Sequence, residues 1–323
     1  MIDKSEFRAM GCHVQVALES DSLKAHSRLE SVPEWFEAWE DRLSRFRPYS
    51  ELNRLNHSEG QPQPVSADLW KVYQVALEAE RLSAGLVTPY VLEALVQAGY
   101  DRSFEQFGAL QESNQPNITQ PRSLQPARAE KDTIARIICL PNGAKLDFGG
   151  IAKGWAAHQA MSRLEIYGSV MVDAGGDIAI SRLLSDQQGW PIGIADPFQS
   201  DALLGVLELG RSGVATSGID YRRWQQNGTW KHHIIDPRTG QPAQTDLLSV
   251  TVISPNVMDA EMAAKRVLIS GSQAGLAWLE THPNYAGLLV LQVGECIQSR
   301  NFQRYLRQPI GNIHINEINL SRK

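Results

Sequence analysis

The sequence predicts an α+β fold, and three observations carry the prediction. Strand-like segments with period-two or β-branched character recur along the chain. Helical patterns are inserted between them at irregular intervals. Strand and helix do not alternate as a parallel βαβ fold requires. Mixed or antiparallel sheets are therefore expected, with no internal repeat. The 323 residues are read as one large domain, 1–323, long enough to bury a core without disulfides or a structural metal.

The elements follow in order. His13-Val14-Gln15-Val16-Ala17-Leu18 alternates like a half-buried strand. From Ser27 to Leu43 apolar residues recur at helical spacing, with Trp35, Phe36 and Trp39 on one face. Phe46-Arg47-Pro48-Tyr49-Ser50 ends that helix, and Ser50 caps a short one reaching Leu55. Further helices are predicted over 67–84 and 88–99, the second opening at Thr88-Pro89. Gln111 to Lys131, rich in Gln, Asn, Pro, Ser and Arg, reads as a surface loop. A strand at 134–140, a turn at Pro141-Asn142-Gly143 and a strand-to-helix passage at 146–161 come next. Strands are expected at 169–172, 190–194, 203–209, 213–216, 231–235, 249–253 and 288–293. Helices are expected at 258–269 and 273–280.

Composition narrows the function. The net charge of −5 is spread along the chain rather than gathered in blocks. That argues against nucleic acid as the main partner, because phosphate neutralisation needs clustered Lys and Arg. No basic membrane-binding stretch is present. Cys12, Cys139 and Cys296 are far apart and odd in number, so they read as small packing residues rather than a zinc site or a disulfide framework. The first residues lack the apolar stretch of a signal peptide. No run approaches the roughly 18 apolar residues that span a bilayer. A cytoplasmic protein is expected.

Four segments carry chemistry. In Leu146-Asp147-Phe148-Gly149-Gly150-Ile151-Ala152-Lys153, two glycines stand between an extended segment and a helix. They let the backbone approach a ligand closely, and the helix amides favour an anion. Lys153 can add a positive charge, although a plain junction with a solvated lysine has the same sequence. Asp173-Ala174-Gly175-Gly176-Asp177 places two carboxylates around a glycine pair at a strand end. It suits a metal, a ribose hydroxyl or an ordinary turn. Thr216-Ser217 offers adjacent hydroxyls to a phosphate, a carbonyl or a local turn. In Lys231-His232-His233-Ile234-Ile235-Asp236-Pro237, neighbouring strand residues point to opposite faces. Only one histidine can then face a given cleft, as a hydrogen-bonding or proton-accepting group rather than half of a metal pair.

Taken together and in this order, these segments resemble the FAD:protein FMN transferase family, also called the ApbE or thiamine-biosynthesis lipoprotein family. Met10-Gly11-Cys12 resembles the family's opening Met-Gly-Thr. Ser44-Arg45-Phe46 through Asn56 resembles its Ser-Glu-Leu-x-x-x-Asn region. Thr88-Pro89, Gly99-Tyr100-Asp101 and Ser249-Val250-Thr251-Val252 fit later segments. The match runs from about Ala9 to Gly271. The resemblance implies a two-lobed α+β fold with FAD in a cleft between lobes. It implies that a Thr or Ser hydroxyl of an acceptor protein takes FMN while AMP leaves, a phosphoryl transfer that rests on positioning and charge neutralisation. By resemblance, Asp147, Gly149, Gly150 and Lys153 border the dinucleotide, and Asp173 and Asp177 shape the cleft. Thr216 and Ser217 contact flavin or phosphate. Met10 and Phe46 line the ring pockets with Ser44 beside them. His233 sits near the reacting phosphate.

One departure stands out. The family's last helix carries Ala-Asp-x-x-x-Thr, whose Asp and Thr hold magnesium together with a backbone carbonyl at the position of Ala152. Here the stretch is Ala260-Glu261-Met262-Ala263-Ala264-Lys265. Lysine has no acceptor, so it cannot ligate the ion. Glu261 and Lys265 form either a salt bridge where a metal site would be, or a unit in which Lys265 supplies the ion's charge. Three functions follow: an FMN transferase, an FAD-binding protein for storage, delivery or sensing, or an FAD pyrophosphatase.

Overall fold

The computed structural model describes residues 1–107, 112–113, 124, 129–141 and 143–308. Most of the predicted 111–131 loop, and Asn142 of the predicted turn, lie outside the described residues. An eight-stranded sheet organises the molecule. Its spatial order is Ile2–Ala9, Cys12–Glu19, Ser169–Ala174, Asp177–Ile180, Ser212–Gly218, Leu247–Ser254, Ala286–Leu291, Cys296–Gln298. Every neighbouring pair is antiparallel, and the mixed α+β class expected from the sequence holds.

Period-two side-chain direction divides two cores across this sheet. Val16, Leu18, Val170, Val172, Val250 and Val252 face one core. Ala17, Met171, Ile253 and Val290 face the other. The first core is covered by helices: α1 (Leu23–Glu30), α2 (Val32–Leu43), α3 (Glu51–Asn56), α4 (Ala67–Leu82), α6 (Ala152–Leu164), α7 (Val257–Ser270) and α8 (Ser272–Thr281) all contribute to it; α5 (Leu92–Gln97) belongs to a third, smaller core. The second core is closed by Trp190–Ala195, Leu203–Leu209 and Leu306–Gln308, which form their own small sheet. Among the described residues no helix is long and apolar enough to cross a membrane.

Several expected boundaries move, each for a local reason. The single helix expected over 27–43 is two, broken at Ser31, with Pro33 in the first turn of α2. Proline lacks an N–H and suits that position only. The edge strand Ile2–Ala9 was not predicted; its burial alternates between exposed and half-buried, so it lacks the apolar face that marks a strand. The helix expected over 88–99 shrinks to α5, and the strand at 134–140 to Ile137–Cys139. The extended stretch before α6 is not a strand, because its backbone bonds go to a side chain and to Pro89. The strand expected over 231–235 is interrupted at His233 and Ile234.

Candidate active site

A pocket of about 250 Å³ lies beside the N-terminus of α6. Helix α3 fixes two of its walls with three polar residues. Ser50 caps the helix by accepting from the Asn53 N–H at 3.1 Å. Asn53 Nδ2 donates to the carbonyls of Arg45 at 2.9 Å and Arg47 at 2.8 Å, which holds the loop carrying Arg45 and Phe46. Asn56 is buried and pairs both ways with Leu146, donating to its carbonyl at 2.8 Å and accepting its N–H at 2.7 Å. A side chain here does what a neighbouring strand would do. The Asp147 N–H donates to the Pro89 carbonyl at 2.8 Å, so the glycine turn is pinned from both sides.

The aromatic wall follows from that loop. Arg45 is only 6% exposed, and its Nε meets Asp147 Oδ2 at 2.8 Å. Its guanidinium lies 4.1 Å from the Phe46 ring centre and 4.7 Å from that of Tyr100. Arg45 Nη2 has no hydrogen-bond partner among the described residues. Asp147 Oδ1 also accepts the Gly149 N–H at 2.8 Å. Across the pocket, Met10 and Gly11 form the two-residue turn between the first two strands, with φ of 52° and 67°. A non-glycine residue in that region is strained. The turn is tied down: the Met10 N–H donates to Glu40 at 2.8 Å, and Arg222 Nη2 donates to the Gly11 carbonyl at 2.9 Å.

The floor is charged. Lys153, in the first turn of α6, pairs with the buried Asp177. Burial pulls the Lys153 ammonium down, but the Asp177 and Glu261 carboxylates outweigh it and hold the group above its ordinary value. Lys265 Nζ meets Glu261 Oε1 at 3.1 Å, one helical turn away on α7. Glu261 Oε2 accepts the Gly154 N–H at 3.1 Å, so it also caps α6. Burial and the nearby Asp177 push the Glu261 carboxyl above the usual carboxylate range, while Lys265 and Lys153 pull it back. His233 lines the pocket with its Nδ1 unpartnered among the described residues. Burial first, then Arg222, His232 and Lys265, hold its pKa well below the ordinary histidine value, so it is neutral at neutral pH. His232 faces elsewhere, its Nε2 against the Ala243 carbonyl at 3.1 Å.

This donor set does not fit the magnesium ion that the resemblance implies. Both Glu261 oxygens are engaged, one by an ammonium and one by an amide, and Lys265 stands where a hydroxyl ligand would be required. Among the described residues no three His, Cys, Asp or Glu side chains gather as a metal would need.

The structure brings most of the sequence-predicted residues together. Met10, Ser44, Phe46, Asp147, Gly149 and Gly150 line the pocket, as do Ala152, Lys153, His233 and Lys265. Asp177 and Glu261 stand behind the two lysines as their partners. Asp173 does not line the pocket; it accepts the Gly176 N–H at 2.7 Å within its own turn. Thr216 and Ser217 do not line it either. Thr216 shares a hydroxyl bond of 2.8 Å with Thr251 on the next strand, and Ser217 is buried on the opposite face. Arg45, Tyr100 and Arg222 belong to segments the sequence singles out, yet sequence reasoning gives none of them a role. Their signal was weak: an arginine beside Phe46, a tyrosine after Gly99 and an arginine after Tyr221.

Comparison with known proteins bears on the family and the fold. A family model described as the ApbE family matches residues 10–289. The FAD:protein FMN transferase of Treponema pallidum (strain Nichols) is 30% identical over 309 residues, covering 86% of this chain and 81% of the relative. That of Vibrio cholerae serotype O1 is 30% identical over 249 residues, covering 75% and 73%. The crystal structure of the ApbE protein from Thermotoga maritima superposes with a TM-score of 0.82 at 24% identity, covering 95% of this chain and 100% of that one. The flavin transferase ApbE from Vibrio cholerae does so with a TM-score of 0.73 at 23% identity, with the same coverage. At these identities the structural likeness carries the fold.

Proposed function

The chain belongs to the ApbE family, and on that premise we propose that it transfers FMN from FAD to a Thr or Ser hydroxyl of an acceptor protein, releasing AMP. One observation carries this reading to the residues. A pocket with an aromatic, arginine-stacked wall meets a floor of lysines at a helix N-terminus, which suits a ligand that is flat at one end and doubly anionic in the middle.

The flavin rests against Phe46, backed by the buried Tyr100, and the pyrophosphate lies over Gly149, Gly150 and the α6 amides. The acceptor oxygen attacks the phosphorus on the FMN side. The new P–O ester forms as the bond to the bridging oxygen breaks, and AMP leaves with that oxygen. The hydroxyl proton passes to neutral His233: with the ring's other nitrogen turned to the Arg222 backbone, the unpartnered Nδ1 holds the lone pair that takes it. Lys153 and Lys265 offset the negative charge that accumulates. Glu261 and Lys265 do not fit magnesium, and the two lysines supply the positive charge instead.

The Glu261–Lys265 pair favours a second reading, in which the chain binds FAD without cleaving it. Incubating the purified protein with FAD and a threonine-bearing acceptor peptide separates the readings. AMP together with a peptide heavier by FMN is the expected result, lost in His233→Gln. AMP with an unmodified peptide supports hydrolysis, and bound FAD without AMP leaves a binding protein.

A further inference from the structure

This inference rests on the FAD reading and concerns the charge that meets the ligand. The two buried ion pairs of the floor share one orientation. Lys153 and Lys265 line the pocket, while Asp177 and Glu261 lie behind them, 1% and 0% exposed. Positive charge faces the ligand, and the compensating negative charge is sealed in the core.

Glu261, Lys265, Gly150 and Gly154 are fitted to one another. A Cβ at position 154 would lie 2.6 Å from Glu261 Oε2, so only glycine lets that carboxylate reach the α6 amide. A Cβ at position 150 would lie 3.2 Å from Lys265 Cε, so the lysine stem lies directly on the glycine turn. There the α6 N-terminus adds its own positive potential. The longer stem of Glu relative to Asp lets one carboxylate hold both the Gly154 N–H and the Lys265 ammonium. On the same pocket, the 6%-exposed Arg45 keeps Nη2 without a partner among the described residues. A decayed metal site would leave the Glu261 carboxylate loose; here both of its oxygens are in use.

We propose that Lys265, positioned by Glu261 and flanked by Lys153, is the resident positive charge that binds the FAD pyrophosphate, and that the site works without a divalent cation. Magnesium would meet an ammonium instead of an oxygen ligand. Lysine binds phosphate as a point charge and cannot be removed by a chelator.

The test is FAD affinity, read by flavin fluorescence across a NaCl series, in EDTA and in excess MgCl2. The unaltered protein binds in EDTA, and magnesium changes its affinity less than about twofold. Lys265→Met weakens FAD binding by about tenfold or more, the loss of a charge-assisted contact to phosphate, and flattens the salt dependence. Lys265→Arg restores both. Because Lys265→Met strands a buried carboxylate, the Glu261→Gln/Lys265→Met double variant is measured beside it, with thermal melts of each; the same weak binding and flat salt dependence at a restored melting temperature support the proposal. Magnesium tightening FAD by about tenfold or more in the unaltered protein overturns this inference alone. So does weaker binding in the variants with an unchanged salt dependence, which marks a structural role. Failure of the unaltered protein to bind FAD under either condition overturns the functional reading and this inference with it.

Discussion

The two sides of the pocket are built on opposite principles. The wall presents ring faces: Phe46 and Tyr100 under the Arg45 guanidinium, Tyr100 stacked on Trp224 at 5.1 Å, and Phe104 6.0 Å from Tyr221. Its rim is open, with Phe46 38% and Tyr221 77% exposed, while Tyr100 and Trp224 behind it are buried. The floor presents ammonium groups whose partners are sealed away. A ring face accepts any flat apolar group, and losing one costs modest packing. A buried charge is costly in water-poor surroundings and survives only while its partner stays. The wall can therefore tolerate change in what it binds, whereas the floor is committed to one kind of ligand group.

The largest predicted effect cuts across that division, because the wall itself hangs on a buried pair. Asp147→Ala leaves Arg45 uncompensated and frees the Gly149 N–H. Breaking a buried pair by removing one partner costs roughly 3–5 kcal/mol. Urea unfolding should register that loss, and Arg45→Met/Asp147→Leu should recover most of it. A single-variant loss under about 1 kcal/mol, the range of a solvated pair, would mean the wall has no buried charge to lose.

On the floor, Gly154→Ala sets two effects against each other. Alanine in place of a helix glycine gains about 1 kcal/mol. The new Cβ displaces Glu261 Oε2 from the α6 amide, and stranding a buried polar group costs roughly 1–3 kcal/mol. Glu261 is fully buried and has nowhere to retreat, so the second effect prevails. Net destabilisation with weakened FAD binding is expected from melting and titration. A more stable variant that binds FAD normally would show the Glu261 clamp to be dispensable.

The same contrast governs what could be read from the sequence. Gly149, Gly150 and Lys153 are legible because a turn and the helix after it are chain neighbours, and adjacency is what a sequence records. The Arg45–Asp147 pair is not, because it joins residues far apart in the chain through a loop held by Asn53. Thr216 and Ser217 looked like a paired hydroxyl site, but strand geometry turns them to opposite faces, and the register opposite Thr251 claims the first. Pro33 was a visible break in the helix over 27–43, outweighed by apolar spacing that continues on both sides. The edge strand Ile2–Ala9 is defined by its neighbour rather than by any apolar face of its own. Core strands such as Leu247–Ser254, buried along nearly their whole length, were plain.

The smallest predicted effect links wall to floor through His233. Its pKa is depressed by burial first, then by Arg222, His232 and Lys265. The sign follows from a folded value below the unfolded one. The neutral imidazole persists as pH falls past the ordinary 6.5, and the stability it contributes is present above that pH and lost as pH falls toward the folded value. AMP release should therefore keep its rate below pH 6.5 and decline only on further acidification. Lys265→Met removes one repelling charge from the floor, so His233 should titrate closer to its ordinary value. Burial, the largest cause, is untouched, so most of the depression should remain. Arg222→Met, acting from the Met10–Gly11 side of the pocket, should move it further, because the Arg222 guanidinium repels the imidazolium more strongly than Lys265 does. Imidazole titration by NMR reads both shifts whether or not the variants turn over. Equal, unshifted titrations in both would mean that burial alone sets His233, and that the floor's charges reach the ligand without reaching the base.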